Sequence, residues 1–600
     1  MRDSGGVLNG SGDPPGTGGD SGRGRSAIAV AVWTVLGVVP GVGLIVAGRW
    51  RGGVAVLAGS AAAVIAAVSY VGTDSSAVVS RGLDTGALRM GAVAAVAAAV
   101  VWSAIIVVSH RALRPPAAAS GERVWGALLV GVLCLAVSTP LVIGANVALT
   151  ARATLQAVFR GGRSQLTAGA TAGTGVGPTG GVGPSGGVGP SGTVAVRPSP
   201  GASAAAGGYR WSKPRVSILI IGGDGATGRP GVRTDSMAIA SIDTVTGKVL
   251  LVSVPRNLCR LQWAPGTALA AAYPQGWVAD PAVGCTGDNP VNAIYNDVPA
   301  AHPGLFPAAS TDNPGADALA LGLQYSLRLP IDYYLLVNLT AFRSLVDAIG
   351  GVTVDINTPI PVGGQHDTVT GNTVTAYPSR WLMPAPHQHL DGANALWFAR
   401  GRFSSDDYDR INRQKCVINA IIAQTAPTTL LTSYAALAAT LQDNVRTNVP
   451  ARLLDPLAQL GLKVRRTRVL ASLTLRPASP GIPGVSGLGT NDHPVWSAAA
   501  AAIAQAITRT DPTPTATAAT HVRSPAAAVN PTGTPATGAA VSTSAPPAAA
   551  AGAGRPADRT NVTTNVGASC AYNAAAARAS VTTWQQQYGG MYTPQGTRRR

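Results

Sequence analysis

Four arginines fall within 14 positions: Arg400, Arg402, Arg410 and Arg413. The acids Asp406, Asp407 and Asp409 lie between them. Arg410 and Arg413 are three apart, so on a helix they share a face, with Gln414 beside them. A guanidinium is a planar fork that matches phosphate oxygens and stays charged at any relevant pH. A second cationic point is Pro255-Arg256-Asn257, at the end of an apolar run. Proline stops a sheet ladder, which sets Arg256 at a strand end. A third cluster begins Ile221-Gly222-Gly223-Asp224 and continues Gly231-Val232-Arg233-Thr234-Asp235-Ser236. This reads as a strand entering a glycine-rich loop, where backbone can approach a ligand closely. The carboxylates Asp224 and Asp235 are of the type that holds Mg2+ beside phosphates. No Gly-Lys-Ser/Thr follows, so this is not a Walker loop. His387 and His389 have no nearby cysteine and make no zinc pattern. Taken together, the residues point to a pyrophosphate site with a bridging metal.

Local patterning supplies the elements that must position these groups. Val216–Ile221 reads as a buried strand. Met237–Asp243 and Lys248–Val254 flank a turn at Thr244–Gly247 and read as a hairpin. Ala316–Leu327 and Ala341–Ile349 have helical periodicity, and Tyr333–Val337 and Val352–Ile356 read as strands. Asp391–Ala399 and Asp409–Gln424 read as helices. The alternation predicts an α/β class, with a central mixed sheet flanked by helices.

That region, 209–510, is about half of a 600-residue chain. Before it come four apolar stretches, Ala27–Ala47, Val54–Val71, Ala87–Val108 and Val124–Leu149. Each is near the ~20 residues that span a bilayer. They make residues 27–150 a transmembrane region of three or four helices and argue against a single signal peptide. Arg49 and Arg51 mark the first connection, and Arg111, Arg114 and Arg123 the third. Arg81 and Arg89 in the second are offset by Asp74 and Asp84. The positive-inside rule then puts the first and third connections in the cytoplasm and the C-terminal part outside. Four crossings put the N-terminus outside. A re-entrant hairpin at Pro40-Gly41-Val42-Gly43 puts it inside.

The remaining segments lack apolar periodicity. Residues 1–26 are rich in Gly, Ser and Asp, and 151–208 form a tether with a six-residue repeat through Gly175–Gly192. Residues 511–600 read as a disordered low-complexity tail ending in three arginines. The net charge of +18 is not gathered into the Lys/Arg patch of a nucleic-acid binder, so no nucleic-acid partner is expected. Four lysines against 41 arginines suggest a GC-rich genome, as in actinobacteria.

Residues 215–505 resemble the LytR-CpsA-Psr (LCP) phosphotransferase domain. The resemblance rests on ILIIGGD, GVRTDSMAIASID, GKVLLVSVPRN, PVNAIYN, the run IDYYLLVNLTAFRSLVDAIGGVTVDI, and HLDGANALWFARGRF followed by DYDRINRQ. It implies a fold with a groove for a polyprenyl chain between sheet and helices, and a pyrophosphate at the groove mouth. Asp224 and Asp235 would be the Mg2+-linked acids. Arg233, Arg256, Arg400, Arg402, Arg410 and Arg413 would contact phosphates, Asp407 would orient them, and Gln414 would line the site. Lys248 stands where the family pattern often carries a basic residue. The family's Pro-Arg-Asp reads Pro255-Arg256-Asn257 here. Asparagine cannot accept a proton as a carboxylate does, which leaves Asp224 and Asp235 as candidate bases.

The implied function is a membrane-anchored transferase working on the extracytoplasmic face. It would move a glycopolymer from a polyprenyl-pyrophosphate carrier to peptidoglycan, with arabinogalactan, teichoic acid and capsule all open as the polymer. The same residues would also serve a lipid-pyrophosphate pyrophosphatase or a non-catalytic wall anchor. Cys259, Cys285 and Cys416 fall in the exported region. An oxidising exterior permits a disulfide there, and Cys259–Cys285 is the expected pair, closing the loop after Arg256.

Overall fold

A computed structural model describes residues 27–71, 75–114, 120–166, 211–224, 233–278, 290–366, 374–403, 405–425, 444–478, 484–485, 487–510, 562–563 and 565–599. The chain divides into two compact units, Met1–Thr73 with Gly86–Leu149, and Asp74–Thr85 with Thr150–Arg600. The expected segment 1–26 and the glycine-proline repeats lie outside the described residues.

In the first unit the leading apolar stretch is not one helix. It forms α1 (Ala27–Leu36) and α2 (Val42–Val46), broken where Gly41 takes φ 96°. The three helices that follow α2 in this unit, α3 (Trp50–Val71), α5 (Thr85–Leu113) and α6 (Ser120–Val158), are each long and apolar enough to cross a membrane. Helices satisfy their own backbone groups, which lipid cannot do. The break after α1 leaves the Val38 carbonyl outside a helix, and Trp102 Nε1 on α5 donates to it at 2.7 Å. Ser103 and Ser138 hydroxyls pair at 3.0 Å between α5 and α6.

The second unit is built on a seven-stranded mixed sheet in the order β11-β10-β3-β2-β1-β4-β9. Its centre is β1 (Arg215–Gly223), β2 (Ser236–Asp243) and β3 (Val249–Val254), all antiparallel neighbours. β4 (Tyr333–Asn338) runs parallel to β1 and β10 (Leu470–Thr474) parallel to β3. β9 (Val445–Thr447) and β11 (Val562–Thr563) close the edges. Two small ribbons stand apart: β5 (Val352–Ile356) with β8 (Ala385–Leu390), and β6 (Ile360–His366) with β7 (Val374–Leu382).

The helices of this unit are α4 (Ser75–Leu83), α7 (Ala268–Ala272), α8 (Ile294–Ala301), α9 (Pro314–Leu327), α10 (Leu339–Ala348), α11 (Gly392–Arg400), α12 (Asp407–Gln424), α13 (Leu454–Thr467), α14 (Trp496–Thr510), α15 (Val566–Ser569) and α16 (Ala574–Tyr588). One sheet face, with Leu219, Ile221, Ile239, Leu250 and Val252, packs under α8, α9 and α14. The other, with Ala238, Val249 and Leu251, meets Ile418 and Ile422 of α12, Val464 of α13 and Val566 of α15. This is the expected α/β sandwich, a sheet with helices on both faces.

Two boundaries differ from the sequence reading. The segment 151–208 does not begin as a tether. α6 runs on to Val158, and residues 163–166 are bound to the domain. Arg163 meets Asp312 at 2.7 Å, Ser164 donates to the buried Asp317 at 2.5 Å, and Leu166 enters the core. The end of the 511–600 stretch is likewise folded. Averaged composition hides Val566, Trp584, Tyr588 and Tyr592, all at most 6% exposed, and their burial offsets ordering entropy. Residues 511–561 lie outside the described residues.

The structure adds a disulfide that the sequence reading did not single out. Cys416 on α12 is bonded to Cys570 at the end of α15, with Cα atoms 5.6 Å apart. A pair 154 residues apart has no local signature. Cys259 is disulfide-bonded too, and its expected partner Cys285 lies outside the described residues.

Replacing Cys570 with serine should lower stability by about 2–5 kcal/mol, because the bond constrains the unfolded chain. The measurement is the thermal midpoint of the detergent-solubilised chain by tryptophan fluorescence, beside a non-reducing digest. An unchanged midpoint and no peptide joining the two cysteines would contradict the assignment.

Candidate active site

The sheet brings the Asp224/Asp235 cluster and Pro255-Arg256-Asn257 together by register. Ser236 pairs with Gly222 on one side, and Met237 pairs with Val254 on the other. The end of β1, the start of β2 and the end of β3 therefore share one edge. Asp224, Asp235 and Arg256 each lie one or two residues beyond those ends. The arginine-rich cluster arrives on α12, capped by Asp406, whose carboxylate accepts from Asp409 N. Asp407 follows in the first turn, where the helix dipole favours negative charge.

Asp407 is the centre of the site. Its Oδ2 accepts from Arg256 Nε at 2.9 Å and from Asn257 Nδ2 at 3.2 Å. Its Oδ1 lies 3.0 Å from Arg402 Nη1 and 3.4 Å from Arg410 Nη1. Burial alone would raise its pKa. Arg410, Arg256 and Arg402 overcome that and hold it at about 2. Arg256 also donates from Nη1 to Asp235 Oδ1 at 2.8 Å. Burial works against ionised Asp235 as well, yet Arg256 brings its pKa below the ordinary value. Arg410 is nearly fully buried and donates from Nη2 to the Asp235 carbonyl at 2.9 Å. Burial pushes its pKa down to about 10, which leaves it charged at neutral pH.

The other expected residues are placed unevenly. Asp224 Oδ1 accepts from the backbone N–H of Arg233 at 2.9 Å, which fixes Arg233 at the exposed rim. Arg400, at the end of α11, is exposed with its guanidinium 5.0 Å from the Trp397 ring centre. Gln414 accepts from Ser236 Oγ at 3.0 Å and donates to Ala399 O at 3.2 Å, so it joins β2 to α11. Arg413 is buried and turned to the chain itself, donating to Phe398 O at 2.8 Å and to Gly401 O. It braces the end of α11 rather than facing a ligand. Lys248 is not in the site. It stands at the other end of β3 from Arg256, roughly 26 Å away at about 3.3 Å per residue. Its Nζ donates to Thr510 O at 3.0 Å, at the C-terminus of α14.

Two asparagines also belong to the site: Asn257, noted in the sequence only as unable to act as a base, and Asn292, which was not singled out. Asn257 supplies a donor to Asp407 where a carboxylate would add like charge. Asn292 donates from Nδ2 to Asp235 Oδ1 at 3.1 Å, and its buried Oδ1 has no hydrogen-bond partner among the described residues. Asn292 sits in the PVNAIYN stretch, where an amide flanked by Val291 and Ala293 was the available signal. Among the described residues no group of three or more His, Cys, Asp or Glu could hold a metal. The donor chemistry here is smaller: two carboxylates and an amide oxygen. It suits Mg2+, which takes oxygen ligands and relies on substrate phosphates to complete its shell.

This cluster makes a pH prediction. The Asp407 pKa is lowered on folding, so its stabilisation is complete above the unfolded value near 4 and is lost as pH falls towards 2. Asp407→Asn should therefore lower stability at pH 7 by about 2 kcal/mol. The gap to wild type should narrow between pH 4 and pH 2 in chemical denaturation curves. A gap that stays constant across that range would refute the ion-pair account.

Residues 203–486 match the LytR_cpsA_psr family. The chain is 28% identical over 237 residues to the polyisoprenyl-teichoic acid–peptidoglycan teichoic acid transferase TagU of Bacillus cereus, covering 39% of this chain and 60% of that protein. It is 25% identical over 241 residues to TagV of Bacillus subtilis, covering 40% and 50%. The chain thus spans 60% or less of the length of these relatives. Among solved structures, Bacillus subtilis TagV is similar with a TM-score of 0.32 and 20% identity, covering 50% of this chain and 98% of that one. TagT bound to LIIa-WTA gives 0.28 and 20%, covering 44% and 80%. The motifs that meet at Asp407 all lie inside the matched stretch or at its strand ends, and residues 203–486 are a domain of the LytR_cpsA_psr family.

Proposed function

We propose that this chain is a membrane-anchored phosphotransferase that moves a glycopolymer from a polyprenyl-pyrophosphate carrier to a peptidoglycan hydroxyl. The observation that carries the reading is the set of three guanidiniums on Asp407 at one sheet edge. Arg256, Arg402 and Arg410 hold more positive charge than Asp407 and Asp235 neutralise. Each guanidinium has five N–H donors, more than these contacts use. Such a fixed array stabilises charge that develops on phosphoryl oxygens. The relatives named above transfer teichoic acid from a polyisoprenyl carrier to peptidoglycan, which agrees with that chemistry.

In the proposed step an acceptor hydroxyl oxygen attacks the sugar-side phosphorus. The bond from that phosphorus to the bridging oxygen breaks, and polyprenyl phosphate leaves. The hydroxyl proton passes to a carboxylate, Asp224 or Asp235, since Asn257 cannot take it. Asp224 and Asp235, with the Asn292 oxygen, would hold Mg2+, whose charge would offset that of the pyrophosphate. Arg256 and Arg402 face the phosphates, Arg233 and Arg400 extend the cationic rim, and Arg410 supports them from below.

In this reading the lipid part would lie on the sheet. On β1 and β4 the residues Leu219, Ile221, Tyr334 and Leu336 are buried on one face. On the opposite face Ile218, Ile220, Leu335 and Val337 are only half-buried. Val158 and Phe159, at the end of α6, pack against Leu335 and Val337. A prenyl chain laid on this apolar face would run from the site towards the helix that leads to the membrane. α4 supports the topology. It lies in the connection between α3 and α5 that the charge rule puts outside, and it packs on α13 of the domain. The domain and that connection then share the extracytoplasmic side, with α3, α5 and α6 as the crossings.

The test uses the full chain in detergent with Mg2+, a polyprenyl-pyrophosphate-linked glycan and peptidoglycan fragments. Acceptor-dependent release of polyprenyl phosphate is expected, falling roughly 10²–10³-fold in Arg256→Ala and on chelation of Mg2+. Equal release with water as sole acceptor would make the enzyme a pyrophosphatase. Lipid binding with no turnover would make it an anchor.

A further inference from the structure

We propose that the C-terminal segment 565–599 is a positioning element of the active site, acting through Phe403 on Arg402. The inference rests on the reading of Arg402 as a phosphate-facing group. Arg402 is 42% exposed in its side chain, and an exposed ion pair contributes little by itself. The Arg402–Asp407 contact therefore cannot hold its own loop. The loop is instead pinned on both sides of Arg402. On one side Arg413 donates to Gly401 O. On the other, Phe403 is buried, with ring centres 6.2 Å from Trp381 and 6.1 Å from Tyr588.

Tyr588 comes from α16, so the second pin is supplied from the far end of the chain. Its ring also lies 5.1 Å from Trp381, and Trp584 lies 5.8 Å from the same ring. Aromatic groups in such tilted and edge contacts combine large buried area with a defined geometry. The segment is itself fastened to the domain. Tyr592 Oη donates to Pro378 O at 2.6 Å, Trp381 N donates to Gly596 O at 2.8 Å, and Tyr572 N donates to Asp355 Oδ2 at 2.8 Å. The Cys416–Cys570 bond adds a covalent tie to α12, two residues beyond Gln414. The segment thus holds both partners of the pair, Asp407 through its helix and Arg402 through its loop. A guanidinium fixed before the ligand arrives loses less entropy on binding.

Tyr588 and Phe403 are positioning residues in this account. The first readout is hydrogen exchange in the full chain without substrate. Tyr588→Ala should speed exchange about tenfold at amides 402–409, leave β1–β3 unchanged, and be rescued by Tyr588→Phe. Phe403→Ala removes the same contact from the loop side and should give the same pattern. The second readout is binding of polyprenyl diphosphate in detergent micelles, expected to weaken about tenfold in both alanine variants. Unchanged exchange at 402–409 in Phe403→Ala, or failure of Tyr588→Phe to rescue, would overturn the proposal. So would equal loss of protection in β1–β3 in both alanine variants. The exchange arm uses no ligand and decides this point even if wild type binds no diphosphate, a result that would count against the transfer reading alone.

Discussion

A carboxylate surrounded by three guanidiniums sets the terms for the rest of this domain. Arg410 is nearly buried, and a buried cation without a counter-charge is strongly destabilising. Asp407 supplies that charge one helical turn earlier on the same helix, at the dipole-favoured end. Arg256 and Arg402 then share a carboxylate that Arg410 already requires. The arrangement keeps cations close together at a sheet edge where mutual repulsion would otherwise spread them. It leaves a net positive surface, which is what an anionic ligand needs.

That carboxylate can do this only because unrelated elements end at one place. The antiparallel register of β1, β2 and β3 sets Asp235 against Arg256. The cap at Asp406 starts α12 where Asp407 meets the end of β3. Gln414 and Arg413 tie α12 to the end of α11, and Arg402 follows directly. Asn257 and Asn292 complete the set, one on each acid. An amide at these positions donates to a carboxylate without adding negative charge to the proposed phosphate site.

The same logic connects the site to its surroundings. Val158 and Phe159 at the end of α6 pack on Leu335 and Val337 of the half-buried face of β1 and β4, so that apolar surface adjoins the end of a helix long and apolar enough to cross a membrane. The C-terminal segment meets the domain through aromatic packing at Phe403 and a disulfide at Cys416. A lipid-linked anion would be read by both parts: the chain by apolar surface and the head by fixed arginines.

Much of this was legible locally. β1 to β5, α9 to α12 and the helices long and apolar enough to cross a membrane follow from periods of 2 and 3.6 and from long apolar runs, properties of neighbouring residues. Arginine and aspartate announced phosphate chemistry because their charge and donor geometry do not depend on context. The edge strands and the role of each candidate were not legible. Lys248 and Arg413 look like site cations in the sequence, yet one caps a helix across the sheet and the other braces a backbone turn. Asn292 looks unremarkable and sits on Asp235. The stretch to Arg599 averages as low complexity, while four well-spaced apolar side chains and one cysteine fold its end onto the domain. Residue types determined what chemistry was available and which segments would be regular. Only the tertiary structure decided which charges meet, because pairing across 150 or more residues depends on sheet register and helix packing that no local window contains.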